Sequence, residues 1–220
     1  MALCFHGYTS EGLIDYALIG RFYMEQGMNV LLVDNRAHGR SEGKYIGFGC
    51  LDRRDACLWI KYLTERLGED ARILMHGISM GGATVLMASG LDLPPQVKLI
   101  VSDCAFTSAW EVFSSVIKNK YHIPPYPMMF LYDQLSRHYA GYGLSECNAR
   151  EEVKHSKTPT LFMHGAEDHF VPCEMVHELY EACGAPKRLL VIKDSRHAED
   201  YYKDPGAYEA AICDMMEMYL

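Results

Sequence analysis

The stretch Ala71–Ser89, which reads ARILMHGISMGGATVLMAS, organises the rest of the chain. Its first six residues are mostly apolar, as in a buried strand, and its last eight predict a helix. Between them Gly77-Ile78-Ser79-Met80-Gly81 has the G-x-S-x-G form of a nucleophile elbow. A serine on a strained turn projects its hydroxyl clear of the sheet, and the glycines let strand and helix pass closely. We predict a nucleophilic Ser79; the simpler alternative is a glycine-rich turn before a core helix.

Apolar strands and helices alternate through the remaining chain. The predicted strands are Leu3–Phe5, Asn29–Val33, Ala71–His76, Val97–Ser102, Thr160–Met163 and Arg188–Ile192. The predicted helices are Gly12–Gln26, Asp52–Leu67, Gly82–Ser89 and Ala207–Tyr219. The strands are apolar throughout, which indicates a parallel sheet covered by helices on both faces. In such a sheet ligands bind beyond the carboxyl ends of the strands, so chemistry is expected there.

One segment, 106–155, interrupts this alternation. It joins two strands through roughly 50 residues, far more than an ordinary connection needs. We predict a small helical cap inserted between two parts of a core, 1–105 and 156–220. Its aromatic side chains are expected to bind substrate, foremost Trp110, Phe113, Tyr126 and Phe130. The alternative is an ordinary pair of covering helices.

A serine hydroxyl needs a base to take its proton, and the base needs a carboxylate to orient it. Asp168 lies shortly beyond a predicted strand, and His197 follows the last one. The chain order Ser79, Asp168, His197 is that of the α/β-hydrolase fold. Asp103 also ends a strand and is the main alternative to Asp168. Other histidines are weaker candidates for the base, namely His6, His38, His76, His164 and His169.

Acyl transfer through a serine also needs N–H donors for the oxyanion of the tetrahedral intermediate. The backbone N–H of Met80, directly after the nucleophile, is one expected donor. The loop His6-Gly7-Tyr8-Thr9 supplies the other, most plausibly from Tyr8, with Gly7 allowing close approach. The alternative is that this loop is a plain glycine turn.

The quoted motifs resemble those of the α/β-hydrolase superfamily, in particular bacterial cytoplasmic serine esterases and peptidases. Four stretches each resemble a motif of that group: the elbow, the His6-Gly7-Tyr8 loop, the stretch Asp34–Ser41, which has Ala37 where glycine is usual, and the segment His164–Pro172. The resemblance covers nearly the whole chain and implies an α/β-hydrolase fold. Members usually have strands before the oxyanion loop, and this sequence begins at that strand. The expected fold therefore lacks the usual N-terminal strands.

Composition excludes several classes of partner. A net charge of −8 argues against nucleic acid or an anionic membrane surface. Eight cysteines are scattered without a C-x-x-C pair or zinc spacing. Buried thiols in a reducing cytoplasm are the favoured interpretation. Neither a secretory signal nor an apolar run of ~20 residues is present. We expect a cytoplasmic protein without cofactor or metal.

Together these residues predict a carboxylesterase that acts on small or aromatic, apolar esters through an acyl-enzyme. A peptidase or thioesterase of the same fold is the nearest alternative, and a non-catalytic hydrolase-like binding module is the most distant. The strand Asn29–Val33 is expected at a sheet edge without proline or inward charge to protect it. We therefore expect self-association through this edge, as in a homodimer, unless the loop Glu42–Leu51 covers it.

Overall fold

The computed structural model describes residues 1–220, and they form a single six-stranded sheet. The strands are β1 (Ala2–Phe5), β2 (Val30–Val33), β3 (Ile73–Ile78), β4 (Val97–Asp103), β5 (Thr160–Gly165) and β6 (Lys187–Ile192). All neighbouring strands pair in parallel. Their order across the sheet is β2-β1-β3-β4-β5-β6, so β2 lies at one edge. The predicted parallel sheet is confirmed.

Helices cover both faces of this sheet. They are α1 (Gly12–Glu25), α2 (Asp52–Leu67), α3 (Met80–Ser89), α4 (Ala109–Tyr121), α5 (Met128–Tyr139), α6 (Ala149–Glu152), α7 (Glu174–Ala182), α8 (Asp200–Lys203) and α9 (Pro205–Tyr219). Successive strand side chains point to opposite faces, so each strand contributes to two cores. In β1, Leu3 and Phe5 join the core under α2 and α3, whereas Ala2 and Cys4 join the core under α1 and α9.

The carboxyl ends of the central strands meet at one edge of the sheet. Phe5 at the end of β1 lies opposite Val33 and Gly77, and Ile78 lies opposite Asp103. The loops that leave these strands therefore converge. β3 extends two residues beyond the predicted strand because it pairs with both β1 and β4 up to the elbow.

The segment 106–155 holds α4, α5, α6 and a short 3-10 turn. Two of its helices contact the loops that follow β1 and β2. Phe113 of α4 packs on Phe48 with ring centroids 4.8 Å apart, and Tyr132 of α5 lines a groove together with Tyr8. These helices thus lie near the predicted oxyanion loop; their independence as a cap domain stays a prediction.

The expectation that all cysteines are free thiols is wrong for one pair. Cys50 and Cys147 form a disulfide across 97 residues, with Cα atoms 5.3 Å apart. The bond ties the loop after β2 to the segment after α5, two stretches whose approach depends on the tertiary fold. Six cysteines are free. None of the helices has the length and apolar character that crossing a membrane requires, and no cluster of acidic, histidine or cysteine side chains is arranged to hold a metal ion.

Candidate active site

The backbone at Ser79 is strained in the way the elbow motif predicts. Its φ of 55° and ψ of −112° lie in a region that costs a non-glycine residue of order 1–3 kcal/mol. Its N–H donates to the carbonyl of Asp103 at 2.8 Å, which ties the turn to β4. A Cβ on Gly77 would lie 2.1 Å from the Gly81 carbonyl oxygen, and one on Gly81 would lie 1.9 Å from that of Phe5. Both glycines are therefore required for the turn.

Replacing Gly81 with alanine is expected to lower the free energy of unfolding by about 3 kcal/mol, because the added methyl group meets backbone that cannot move aside. Gly20→Ala in α1 is the matched control. Its Cβ would have no neighbour closer than 4.0 Å, so the variant should gain about 0.5–1 kcal/mol from helix propensity. Urea unfolding measures the free energy of unfolding of both variants. Equally small changes in the two would contradict the close packing of the elbow.

His197 and Asp168 lie in line with the serine. The His197 Nε2 atom is 2.8 Å from Ser79 Oγ, and its Nδ1 atom is 2.6 Å from Asp168 Oδ2. The ring of Phe170 packs against the imidazole, with centroids 4.9 Å apart. A proton on Nδ1 held by the carboxylate leaves Nε2 free to accept the serine proton. The structure thus brings the three sequence-predicted residues into one chain of hydrogen bonds.

The carboxyl group of Asp168 is buried and fully oriented. Its Oδ1 atom accepts the N–H groups of Phe170 at 2.9 Å and Val171 at 2.8 Å. Burial raises the pKa of Asp168, but hydrogen bonds from His164 and His197 outweigh it and lower the pKa to about 2. The group is therefore ionised at neutral pH and directed at the imidazole.

The lowered pKa of Asp168 predicts a pH-dependent contribution to stability. The folded protein holds this proton less tightly than the unfolded chain, whose ordinary pKa is 3.8. The contribution, about 2 kcal/mol, is therefore present above about pH 4 and lost as pH falls towards about 2. The difference in unfolding free energy between wild type and Asp168→Asn should shrink by about 1 kcal/mol between about pH 5 and about pH 3. A constant difference across that range would show that the carboxylate is not stabilised in this way.

The loop after β1 lies directly against the serine. A Cβ placed on Gly7 would be 3.4 Å from the Cβ of Ser79, and the Gly7 N–H donates to the Asp15 carboxylate at 2.7 Å. The N–H groups of Tyr8 and Met80 have no acceptor in the backbone. Met80 begins α3, and the first N–H groups of a helix are open to an anion. Both predicted donors are available, and their role stays a prediction.

The other carboxylate considered, Asp103, makes no hydrogen bond to His197. It is the last residue of β4, and its side chain points to the face that α9 covers, like those of Leu99 and Val101. There it accepts the hydroxyl of Tyr208 at 2.9 Å. Asp168, in the loop beyond its strand, is the carboxylate that reaches the imidazole.

The remaining candidate histidines lie away from the serine hydroxyl. His6 and His38 bond backbone groups of the loops after β1 and β2. His76 sits between two tyrosine hydroxyls, and burial lowers its pKa to about 3. His164 lies 3.3 Å from the Asp168 carboxylate and supports that group, while His169 is exposed in the next loop.

The predicted substrate-binding aromatics occupy different positions. Phe113 packs between Phe48 and Tyr132, with ring centroids 4.8 and 5.4 Å away. Trp110 packs against the core. Tyr126 and Phe130 are exposed, at 77% and 51%, and the structure brings neither of them to the serine.

An apolar groove beside the predicted oxyanion loop was not expected from the sequence. Its volume is about 380 Å³, and nine of its eleven lining residues are hydrophobic. Prominent among them are Tyr8, Tyr45, Phe48, Tyr132, Leu135 and Tyr139. Half of these side chains come from the loops after β1 and β2 rather than from the 106–155 segment. The signal in the sequence was the aromatic content of the glycine-punctuated stretch from Tyr45 to Phe48.

Solved structures that share this architecture include two esterases. The esterase Pf2001 of Pyrococcus furiosus aligns over 99% of this chain and 81% of its own, with a TM-score of 0.79 and 23% identity. Acetyl xylan esterase 1 from Thermoanaerobacterium sp. JW/SL YS485 aligns over 100% of this chain and 75% of its own, with a TM-score of 0.72 and 22% identity. These likenesses establish the α/β-hydrolase fold.

Curated relatives extend beyond this chain. YqkD of Bacillus subtilis, an uncharacterized protein, is 26% identical over 212 residues, which are 96% of this chain and 69% of YqkD. The uncharacterized protein YfhR of Escherichia coli K12 is 25% identical over 80% of this chain and 56% of its own length. The lysophosphatidylserine lipase ABHD12 of Danio rerio is 26% identical over 74% and 41%. The chain thus spans only part of each relative.

A family model decides the classification. The model described as the prolyl oligopeptidase family matches residues 21–212. The matched range contains the strained serine, the imidazole and the buried carboxylate of the hydrogen-bonded chain, together with every strand except β1. Because the match covers most of the sequence and agrees with the fold, the chain belongs to the prolyl oligopeptidase family.

Proposed function

We propose that this chain is a serine hydrolase that cleaves carboxylic esters through an acyl-enzyme. The observation that carries the proposal is the continuous hydrogen-bonded line from Ser79 Oγ through His197 to Asp168, with 2.8 and 2.6 Å separations. Such a line activates a weak nucleophile at neutral pH. The strained backbone of Ser79 adds support, since strain of this kind clusters at functional sites.

The proposed reaction has two halves. Ser79 Oγ attacks the ester carbonyl while His197 Nε2 takes its proton, and the N–H groups of Tyr8 and Met80 hold the oxyanion. His197 then gives the proton to the departing alcohol oxygen, which leaves an acyl group on the serine. Water, deprotonated by His197, attacks this acyl-enzyme, and the acid is released as His197 returns the proton to Ser79 Oγ. Asp168 stabilises the imidazolium that forms in each half and does not itself take the proton.

The apolar groove is the proposed acyl-binding site. It begins at Tyr8, whose ring lies 5.2 Å from that of Phe48, and Tyr8 also supplies one proposed oxyanion donor. If the carbonyl oxygen of an ester binds the N–H of Tyr8, the acyl chain of that ester therefore lies next to the groove. Lys44 and Ser136 are its polar lining residues, so the groove suits hydrocarbon better than it suits a peptide backbone with unpaired polar groups.

The relatives' names support two candidate substrate classes. Two structures with the same fold are esterases and one relative is a lipase, whereas the family name points to peptides. The groove favours esters. A panel of p-nitrophenyl esters from acetate to decanoate, run beside p-nitroanilide peptides, tests this. Preferred turnover of the esters supports the proposal, and turnover of peptides alone would replace it with a peptidase.

Filling the groove should shorten the acyl chain that the enzyme accepts. Leu135 lies on α5, half-exposed in the groove wall, so Leu135→Trp places a larger side chain in the space. We expect kcat/KM for octanoate esters to fall about tenfold, a loss equivalent to one or two methylene contacts, while acetate hydrolysis is unchanged. Tyr126→Ala, on the exposed turn before α5, is the control and should leave the chain-length profile unaltered. A parallel loss for acetate and octanoate would mean that the groove does not hold the acyl group.

A further inference from the structure

A pair of buried carboxyl groups behind the active site lacks the hydrogen bonds that ionised groups require. Asp103 is 2% exposed and Asp200 is fully buried. Three of their four carboxyl oxygens, Asp103 Oδ1 and both oxygens of Asp200, receive no hydrogen bond of ordinary geometry, and the Ser195 hydroxyl is the one O–H group close enough to Asp200 to lower its pKa. The fourth, Asp103 Oδ2, accepts the hydroxyl of Tyr208 at 2.9 Å. Two adjacent buried carboxylates with so few donors would each carry a large desolvation cost.

One proton held between the two carboxyl groups supplies a hydrogen-bond donor that they otherwise lack. The two carboxyl groups lie within hydrogen-bonding reach of each other. A proton on Asp103 Oδ1 gives that oxygen a role as donor and gives the Asp200 carboxylate its missing partner. Asp103 is the better carrier because both the Ser195 hydroxyl and His164 favour the ionised form of Asp200, whereas only the Tyr208 hydroxyl favours ionised Asp103. Two like-charged carboxylates in contact share a proton for the same reason in other sites.

The surroundings of the pair also favour a single negative charge shared by the two carboxyl groups. The ionised Asp168 acts on both groups, and a second full charge beside it would be repelled. Burial, reinforced by the charge of Asp200, raises the pKa of Asp103, and burial raises that of Asp200. The other titratable groups that interact with the pair are His164 on β5, Tyr208 on α9, Tyr16 and Tyr23 on α1, Cys104 after β4 and Cys173 before α7. No lysine or arginine faces the pair to neutralise two charges.

The pair also connects the two halves of the active site. The carbonyl of Asp103 accepts the N–H of Ser79 at 2.8 Å, so Asp103 fixes the elbow through its backbone. Asp200 begins α8 and follows His197 by three residues. A bond between the two side chains therefore joins the loop of the base to the end of β4, whose backbone fixes the elbow of the nucleophile.

We propose that Asp103 and Asp200 share one proton and act as a positioning pair, which holds His197 at hydrogen-bonding distance from Ser79. Neither residue touches the reacting atoms. As pH rises and the shared proton is lost, the two carboxylates repel each other and the loop of His197 loosens. The pair's contribution to stability is thus present in acid and decreases as pH rises through the raised pKa of Asp103, opposite to the contribution of Asp168.

The protonation state is tested without any activity measurement. In protein labelled with ¹³C-aspartate, the carboxyl carbons are followed by NMR from acid to neutral pH. We expect one aspartate to keep a protonated carboxyl shift at neutral pH, and this signal to disappear in Asp103→Asn. If every aspartate of the wild-type protein is ionised at neutral pH, the proposal is overturned. Because this measurement uses no substrate, its result does not depend on whether the proposed ester hydrolysis is correct.

The positioning role is tested with ester hydrolysis and rests on the proposed function. Asp200→Ala leaves Asp103 without a partner and should lower kcat about 10- to 100-fold with little change in KM, the cost of a base displaced by up to about 1 Å. Asp200→Asn keeps the shape and a hydrogen bond to Asp103, so it should recover most of that loss. Glu199→Ala changes the neighbouring residue, whose side chain is 43% exposed; it is the control and should match wild type.

Two kinetic results would overturn the positioning role. One is an Asp200→Ala variant with wild-type kcat. The other is an Asp200→Asn variant as slow as the alanine variant, which would mean that the amide cannot replace the proposed bond. If Asp200→Ala does not fold, the asparagine variant and the wild-type NMR titration still decide the matter.

Discussion

Replacing Ser79 with alanine is expected to lower kcat for ester hydrolysis on the order of 10⁶-fold, the loss found when the nucleophile of a comparable unit is removed. The physical reason is that nothing else in the site can form the covalent intermediate. The hydroxyl is the only one within 2.8 Å of His197 Nε2. Initial rates with purified variant and wild type, measured on the same p-nitrophenyl ester, give the ratio.

The control for Ser79→Ala is Ser115→Ala on α4, whose hydroxyl bonds Asn119 at the surface. This variant should keep wild-type kinetics. The alanine at position 79 also relieves no strain, since its φ stays at the same unfavourable value, so its unfolding free energy should remain close to wild type. Turnover retained by a folded Ser79→Ala protein would mean that another group performs the chemistry.

Replacing Asp168 with asparagine is expected to lower kcat about 10⁴-fold while the protein still folds. An amide has the shape of the carboxyl group, but its NH₂ cannot accept the Nδ1 proton of His197. The imidazole then favours the tautomer with its proton on Nε2, where it cannot take the proton of Ser79. The comparison is Asp103→Asn, which substitutes the same atoms in the other buried carboxylate considered from the sequence.

The two asparagine variants separate the rival acids. Asp103→Asn should retain most of its activity, because its amide can donate to Asp200 in place of the shared proton. If Asp103→Asn lost most of its kcat while Asp168→Asn kept a nearly wild-type kcat, Asp103 rather than Asp168 would be the residue that orients His197. Both variants should be compared at neutral pH, where Asp168 is ionised in the folded protein because its pKa is about 2.

Much of this architecture was predictable because local sequence and chain order constrain it. The G-x-S-x-G motif requires its glycines for a steric reason that the structure shows directly at Gly77 and Gly81. The apolar strands predicted the parallel sheet, and the position of polar residues just beyond those strands predicted which side chains would meet. Asp168 and His197 could be predicted from their order in the chain and from their positions just beyond two strands, although 29 residues separate them in sequence.

Other features depend on packing between distant segments and were not predictable. α7 was not identified because it is short, at nine residues, and follows directly on a proline-containing loop. The disulfide between Cys50 and Cys147 requires two loops to meet across 97 residues. The proposed sharing of a proton between Asp103 and Asp200 requires both groups to be buried. Whether a carboxyl group is buried cannot be predicted from the sequence around it.

The most direct test of the central claim is covalent labelling by a fluorophosphonate probe, followed by mass spectrometry of the labelled peptide. The probe reacts with an activated serine and mimics the tetrahedral intermediate. We predict one adduct per chain, located on Ser79, absent in Ser79→Ala and much slower to form in Asp168→Asn. A folded wild-type protein that is not labelled, or is labelled on another residue, would contradict it.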